Sequence, residues 1–438
     1  MAQRSGSSDA RTTIAQIARR AGFGLAPGEL DELEDLGVDA AIDRMVDPDA
    51  HGLAPGPADL WAGLVFPLFD TGGASRDAVG RWLDHLRAAP RQFEEWMAWY
   101  WHGHLVSNLG ELDGSVTRMM TAQIELFRAS GLGSFPALLR AVTIDPAMLT
   151  YLDGSDNSGE RPNENYSREL LELFALGIGN YTEDDVLAGA GALSGWRVRL
   201  DAPVNPGEPG PAVTYFDPAG HDDTPRRYLG TDGVHDLDTL IDAVVGHPEC
   251  PRFVASRFGR AVLGPDVAEE VLDELARRFA AADLDLRALA RATLEAVADG
   301  HHRPLLLGPV PWLVALQRAT GAELDADERY FGLWEAGQLP LWPPNVGGWP
   351  GGATWLASST VAARFNLAAA VAEATPARSR ARAAAAGGDA ADLADALGRP
   401  EGFSESTVAA LDGVDRSDDE DGTRLLTIAL ASPDLVVA

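Results

Sequence analysis

The chain has 438 residues, one cysteine and a formal net charge of -31, and every cation in it is an arginine because the sequence contains no lysine. That excludes phosphate-loop, protein-kinase and Schiff-base chemistry that needs a lysine amine, including pyridoxal phosphate (PLP) catalysis. With Cys250 alone there is no intrachain disulfide and no cysteine-based zinc cluster, and the acidity argues against nucleic acid or an anionic membrane as partner.

No apolar run reaches the roughly 18–20 residues of a membrane helix. Met1-Ala-Gln-Arg-Ser-Gly-Ser-Ser8 has no apolar core behind it, and Arg19-Arg20 is followed by Ala21-Gly-Phe-Gly24. The expected location is therefore the cytoplasm.

In chain order, residues 1–12 read as a disordered N-terminus. Thr13 to Asp47 is helical, broken by Gly22-Phe-Gly24 and Pro27. Residues 51–75 are irregular, and Arg76 to about Asn108 forms two helices parted near Pro90. Thr117–Ser130 and Phe135–Leu152 are further helices, then one from about Asn163 to Leu176 that ends at Gly177 and Gly179. Thr182-Glu-Asp-Asp185 has the form of a capping box opening a helix through about Leu193. Alternating segments such as Trp196–Leu200 and Ala212–Phe216 predict a small β-hairpin within an insertion at about 196–230. Helical periodicity returns from about Asp236 to Gly321. A Trp/Pro/Gly-rich loop at Leu339–Trp355 and a helix at Ser358–Ala374 follow. Residues 376–438 form an Ala-rich helical C-terminal segment, its 376–398 tract exposed or mobile, with a solvated acidic patch at Asp415–Asp421. The fold class is mainly α: a single large helical domain over 13–375 with a small β-hairpin insertion.

Five constellations could carry chemistry. At about 100° per residue, Glu164, Asn165, Arg168, Glu169 and Glu172 share one arc of a helix whose other face holds Tyr166, Leu170, Leu171 and Phe174. Such an arc can hold a cation or move protons, although i,i+4 pairs on a solvated face would look the same. Trp101-His102-Gly103-His104 offers two imidazoles. On a helix these point about 200° apart, so only one readily joins a site unless Gly103 breaks the helix. Asp153 to Glu164 weakly echoes a calcium loop, with Ser158 where glycine is expected and Pro162 interrupting it. His221, Asp222 and Asp223 put an imidazole beside carboxylates in the β insertion. Trp342–Trp355 is too rich in glycine and proline for a core element and reads as a pocket wall, with Asn345, Trp349, Arg364 and Asn366 reaching inward. Serine-hydrolase, dinucleotide and His-Glu-x-x-His signatures are all missing, so no nucleotide cofactor is expected.

The order of these blocks resembles the bacterial DUF1800 family. The matching words are Arg19-Arg-Ala-Gly-Phe-Gly24, Trp101-His-Gly-His104, Tyr151-Leu-Asp153, Pro162-Asn-Glu-Asn-Tyr-Ser-Arg-Glu-Leu-Leu-Glu-Leu-Phe-Ala-Leu-Gly177, Gly179-Asn-Tyr-Thr182, Ser194-Gly-Trp196, Phe216-Asp217 with His221-Asp222, and Pro343-Pro-Asn-Val-Gly-Gly-Trp-Pro-Gly-Gly352. They span about residues 15–370. The resemblance carries no established activity. It implies frequent export, which this chain's N-terminus does not signal, and frequent company of a second family, DUF1501, similar to sulfatases and alkaline phosphatases. Many relatives have Trp-His-Asn-His-Phe where this chain has Gly103 and Leu105.

The leading expectation is a metal-dependent hydrolase or oxidoreductase between the His102/His104 segment and the Glu164–Glu172 helix. His102, His104, Glu164 and Glu169 would supply ligands to iron, zinc or manganese, calcium being a lesser choice. Arg168, Glu172, His221 and Asp222 would orient substrate and move protons. Asn163, Asn165, Asn345, Trp349 and Arg364 would line the pocket. The rivals are a helical scaffold that binds a DUF1501-like companion, its polar arc a salt-bridge network, and a calcium-stabilised carbohydrate- or peptide-binding module.

Overall fold

Side-chain oxygens set where many of the helices begin. Thr182 accepts from the Asp185 amide while Asp185 Oδ2 accepts from the Thr182 amide, completing the box that opens helix Glu183–Ala192. Asp145 accepts from the amides of Ala147 and Met148 with Pro146 at the first helical position. That cap divides the expected Phe135–Leu152 helix into Phe135–Thr143 and Pro146–Tyr151. The structure, a computed structural model, describes residues 7–66, 72–111, 115–202, 210–415 and 422–438. Its 22 α-helices make the described chain mainly helical.

Two antiparallel two-stranded sheets interrupt the helices. β1 (Trp196–Leu200) pairs with β2 (Ala212–Phe216), Trp196 opposite Phe216. β3 (Arg226–Tyr228) pairs with β4 (Thr231–Val234), with a register shift between Arg226 and Arg227. The insertion thus holds two hairpins rather than one. A helix at Ala326–Glu335, which the periodicity did not mark, starts on an Asp325 cap.

Both ends differ from expectation. The first helix begins at Ser7, not Thr13, and Arg11 on it pairs with Asp31, Glu34 and Asp395. The 376–398 tract is docked rather than exposed. Ala381, Ala385, Leu393 and Ala394 are buried, because the bulk-poor Arg380–Gly387 helix sits close against Thr423–Leu430 and the Ala390–Ala396 helix packs on it. Residues 416–421 of the acidic patch lie outside the described residues. One contiguous core, with Trp82, Trp101, Trp312, Phe127 and Phe135 among its fully buried side chains, runs through N-terminal, central and C-terminal helices. No helix among the described residues is long and apolar enough to cross a membrane.

Candidate functional site

The Gln92–His104 helix is aromatic on nearly every side and buries Phe93, Trp96, Trp99, Trp101, His102 and His104, as a helix without a polar face must. It is unbroken at Gly103, so the two imidazoles leave it in different directions. His102 Nε2 accepts from the Leu341 amide at 3.0 Å, and its ring lies among Trp82, Trp99 and Trp349. Leu341 has φ 69°, a costly conformation for a branched side chain. The imidazole, with the Leu109 amide on the Leu341 carbonyl, pins that strained turn. His104 Nε2–H donates to the Phe174 carbonyl at 3.1 Å. Burial pushes both imidazoles down to about 3, so they are neutral.

His104 therefore does reach the Asn165–Ala175 helix, but on its apolar side. That helix widens into a π-turn at Leu170–Ala175, and Gly177 ends it at φ +85°. The acidic arc points elsewhere. Arg168 pairs with Glu164 and Glu183, at side-chain exposures of 34%, 43% and 75%, where water screens the ion pairs. Glu172 accepts from Tyr181 Oη at 2.8 Å. Burial and the neighbouring Glu172 charge raise the Glu169 carboxyl.

The remaining expected residues serve turns. Asn163 Oδ1 accepts from the Asn165 amide, and Asn165 Nδ2 donates to Asp153 Oδ2. Both line a small polar depression with Asp156, Arg161 and Glu164. His221 Nδ1 sits 2.9 Å from the Ser194 carbonyl. Asp222 is tied to Thr224 and Arg226, which hold its carboxyl down to about 2. Asn345 is exposed, its Oδ1 taken by the Gly347 amide. Among the described residues no three His, Cys, Asp or Glu side chains come together as a metal site. His102, His104, Glu164 and Glu169 do not form the expected ligand set: each imidazole turns its Nε2 to a backbone group, while Glu164 and Glu169 are partly exposed.

What the Gln92–His104 helix does build is one wall of a large chamber. Trp96, Tyr100 and His104, spaced by four, stack along one face at 6.0 and 5.8 Å. Trp349 stacks on Trp99 at 4.9 Å and covers Gly103. Gly348, at φ +84°, lies so close that a Cβ would sit 2.3 Å from the Gly103 carbonyl oxygen. The loop expected as a pocket wall is thus seated on this helix, also through Asn108 Nδ2 to the Pro343 carbonyl. The chamber measures about 1070 Å³, and Trp312, Trp355 and Phe365 complete its aromatic lining. Among the described residues its charged side chains are Arg20, Arg257, Arg260 and Arg364, with no aspartate or glutamate. Leu356, Val361 and Phe365 are solvent-exposed on its wall.

A sequence profile for DUF1800, described as a protein of unknown function, matches residues 16–437. The chain belongs to the DUF1800 family. No curated protein and no solved structure matches it. In this DUF1800 chain Trp349 and Arg364 line the chamber, whereas Asn163, Asn165 and Asn345 do not. The chamber residues that the sequence did not single out include Arg257 and Arg260, on helix Glu249–Leu263, and Trp96 and Tyr100, which form a ladder with the expected ligand His104. The ladder had a signal in its i,i+4 spacing. The arginines had none, being remote in sequence from the aromatics they face.

Proposed function

We propose that this DUF1800 protein is a small-molecule binding protein whose ligand, with a long apolar or aromatic body, occupies the chamber beside the Trp96–Tyr100–His104 ladder. One observation carries the reading. In a chain with 66 acidic residues, about 1070 Å³ is walled, among the described residues, by seven Trp, Tyr and Phe side chains (Trp96, Trp99, Tyr100, Trp312, Trp349, Trp355, Phe365) and four arginines, without an aspartate or glutamate. That volume stands at the upper end of the roughly 300–1,000 Å³ of small-molecule sites, and an apolar lining with a few placed polar groups is their usual character. The metal-dependent reading lacks comparable support, since its ligands are held apart.

Titration with an n-alkanol series, followed by tryptophan fluorescence and calorimetry, tests the proposal. Each methylene entering the chamber contributes about 0.8 kcal/mol, so affinity rises roughly fourfold per carbon until the chamber is filled. Ala261→Trp, which takes up part of the chamber from the Glu249–Leu263 helix, ends that rise at a shorter chain. Affinity independent of carbon number and of Ala261→Trp would reject the chamber as the site.

A second reading, docking of a companion protein such as a DUF1501-like one, has an observation of its own. Phe331 and Trp334, on the helix packed against Ser358–Ala374, are exposed near Leu356, Val361 and Phe365 on the chamber wall. A pull-down with Trp334→Asp tests it, loss of the companion supporting the reading and retention opposing it.

A further inference from the structure

We infer that the chamber's ligand is a monoanionic amphiphile whose carboxylate is held by Arg364 while its apolar tail lies against the tryptophans. The inference rests on the chamber being the binding site and adds the chemistry of the head group.

Arg364 differs from the other buried arginines, of which Arg20 and Arg382 spend both terminal nitrogens on backbone or hydroxyl oxygens and the rest meet a carboxylate. Arg19 pairs with Glu401, Arg91 with Asp49, Arg318 with Glu29 and Arg329 with Asp84. This acidic chain thus supplies a carboxylate to each of these buried guanidiniums. Arg364 is 4% exposed and makes no ion pair with any described residue. Its Nη2 donates to the Leu307 carbonyl at 2.6 Å, while Nε and Nη1 reach no acceptor. Its guanidinium lies 5.2 Å over the Trp312 ring, a cation–π contact that offsets only part of the lost hydration. Burial alone brings its pKa down to about 10, which leaves it charged at neutral pH.

A buried charge without a partner is costly, and an opposite charge placed beside it in a poorly hydrated cavity restores the balance. A planar carboxylate suits a guanidinium with unused N–H groups. The charge of the head follows from the count. Arg20 already donates to the Val262, Arg303 and Ala438 oxygens, Arg260 is paired with Glu269, and Arg257 is exposed to solvent. Among the described chamber residues only Arg364 combines burial with a terminal guanidinium nitrogen that has no acceptor, so one negative charge is matched.

The test compares four probes of equal tail length, dodecanoate, dodecyl phosphate, dodecanol and dodecyltrimethylammonium, below their micelle concentrations at pH 7.5 with the full chain. Dodecanoate is expected to bind at least about tenfold tighter than dodecanol, a charge-assisted hydrogen bond being worth about that factor. The ammonium is expected to bind weakest. Arg364→Gln is expected to remove the carboxylate preference, bringing dodecanoate and dodecanol affinities within about twofold of each other. Equal binding of dodecanoate and dodecanol overturns the anionic head and leaves the chamber reading standing. Absence of binding by all four overturns the chamber itself. A preference for dodecyl phosphate over dodecanoate overturns the monoanionic assignment. Should Arg364→Gln fold poorly, the wild-type comparison still decides the head group. A preference kept in Arg364→Gln and lost in Arg257→Gln overturns the choice of Arg364.

Discussion

Acid should weaken this fold by an amount set by three buried groups, and the sign differs among them. His102 and His104 have folded pKa values near 3 against an ordinary 6.5. Above pH 6.5 neither folded nor unfolded chain protonates them. Between 6.5 and 3 the unfolded chain takes up protons that the folded chain refuses, so stability falls as pH falls, by up to about 1.4 kcal/mol per pH unit for each imidazole. Asp145 works the other way. Burial raises its carboxyl to about 7 from an ordinary 3.8, so between 7 and 3.8 the folded chain binds the extra proton and gains stability as pH falls. From pH 6 to 4.5 two losses oppose one gain, and these groups contribute a net slope of roughly 1.4 kcal/mol per unit. Urea unfolding at half-unit steps measures it. His104→Gln, which keeps a donor for the Phe174 carbonyl, should bring the contribution near zero. Asp145→Asn, which keeps an oxygen for the helix cap, should double it. Surface carboxylates and His302 are common to all variants and cancel in the comparison. Identical slopes in the three proteins would refute the argument that these groups are buried in the forms described.

Other outcomes follow from the same geometry. Glu95 is 1% exposed and receives Arg128 through both oxygens as well as His85. Glu95→Ala leaves Arg128 with Glu125 as its one carboxylate and takes the carboxylate from His85; it should cost about 2–3 kcal/mol by chemical denaturation, and a loss below 1 kcal/mol would contradict that network. Gly348→Ala forces a Cβ against the Gly103 carbonyl; it should lower the melting temperature and loosen Trp349, seen as a red-shifted tryptophan emission, and an unchanged spectrum would speak against the close seating of that loop. His102→Ala leaves the Leu341 amide buried without an acceptor, a loss of about 1–3 kcal/mol before any cavity cost, and His102→Gln should recover part of it.

The sequence made the helical architecture readable because periodicity and caps are local signals, as at Thr182-Glu-Asp-Asp185. It misled where one residue changes the outcome, as at Asp145-Pro146, whose cap and proline restart a helix the apolar pattern would have continued. The apolar side of the acidic-arc helix, Tyr166, Leu170, Leu171 and Phe174, is buried, while Glu164, Arg168, Glu169 and Glu172 are partly exposed. Which face meets the aromatic helix is a tertiary matter, and packing chose Phe174 over Glu169. The helical reading of Trp101–His104 already required its two imidazoles to diverge, and they do, to Leu341 and Phe174. The chamber itself was hidden, since Trp96, Arg257, Trp312 and Arg364 converge only in three dimensions.

A crystal structure with 12-bromododecanoate is the most direct check. The account predicts an anomalous bromine peak inside the aromatic chamber, with the carboxylate on Arg364. A peak confined to the polar depression by Asp156 and Glu164, or scattered over the exterior, would contradict it.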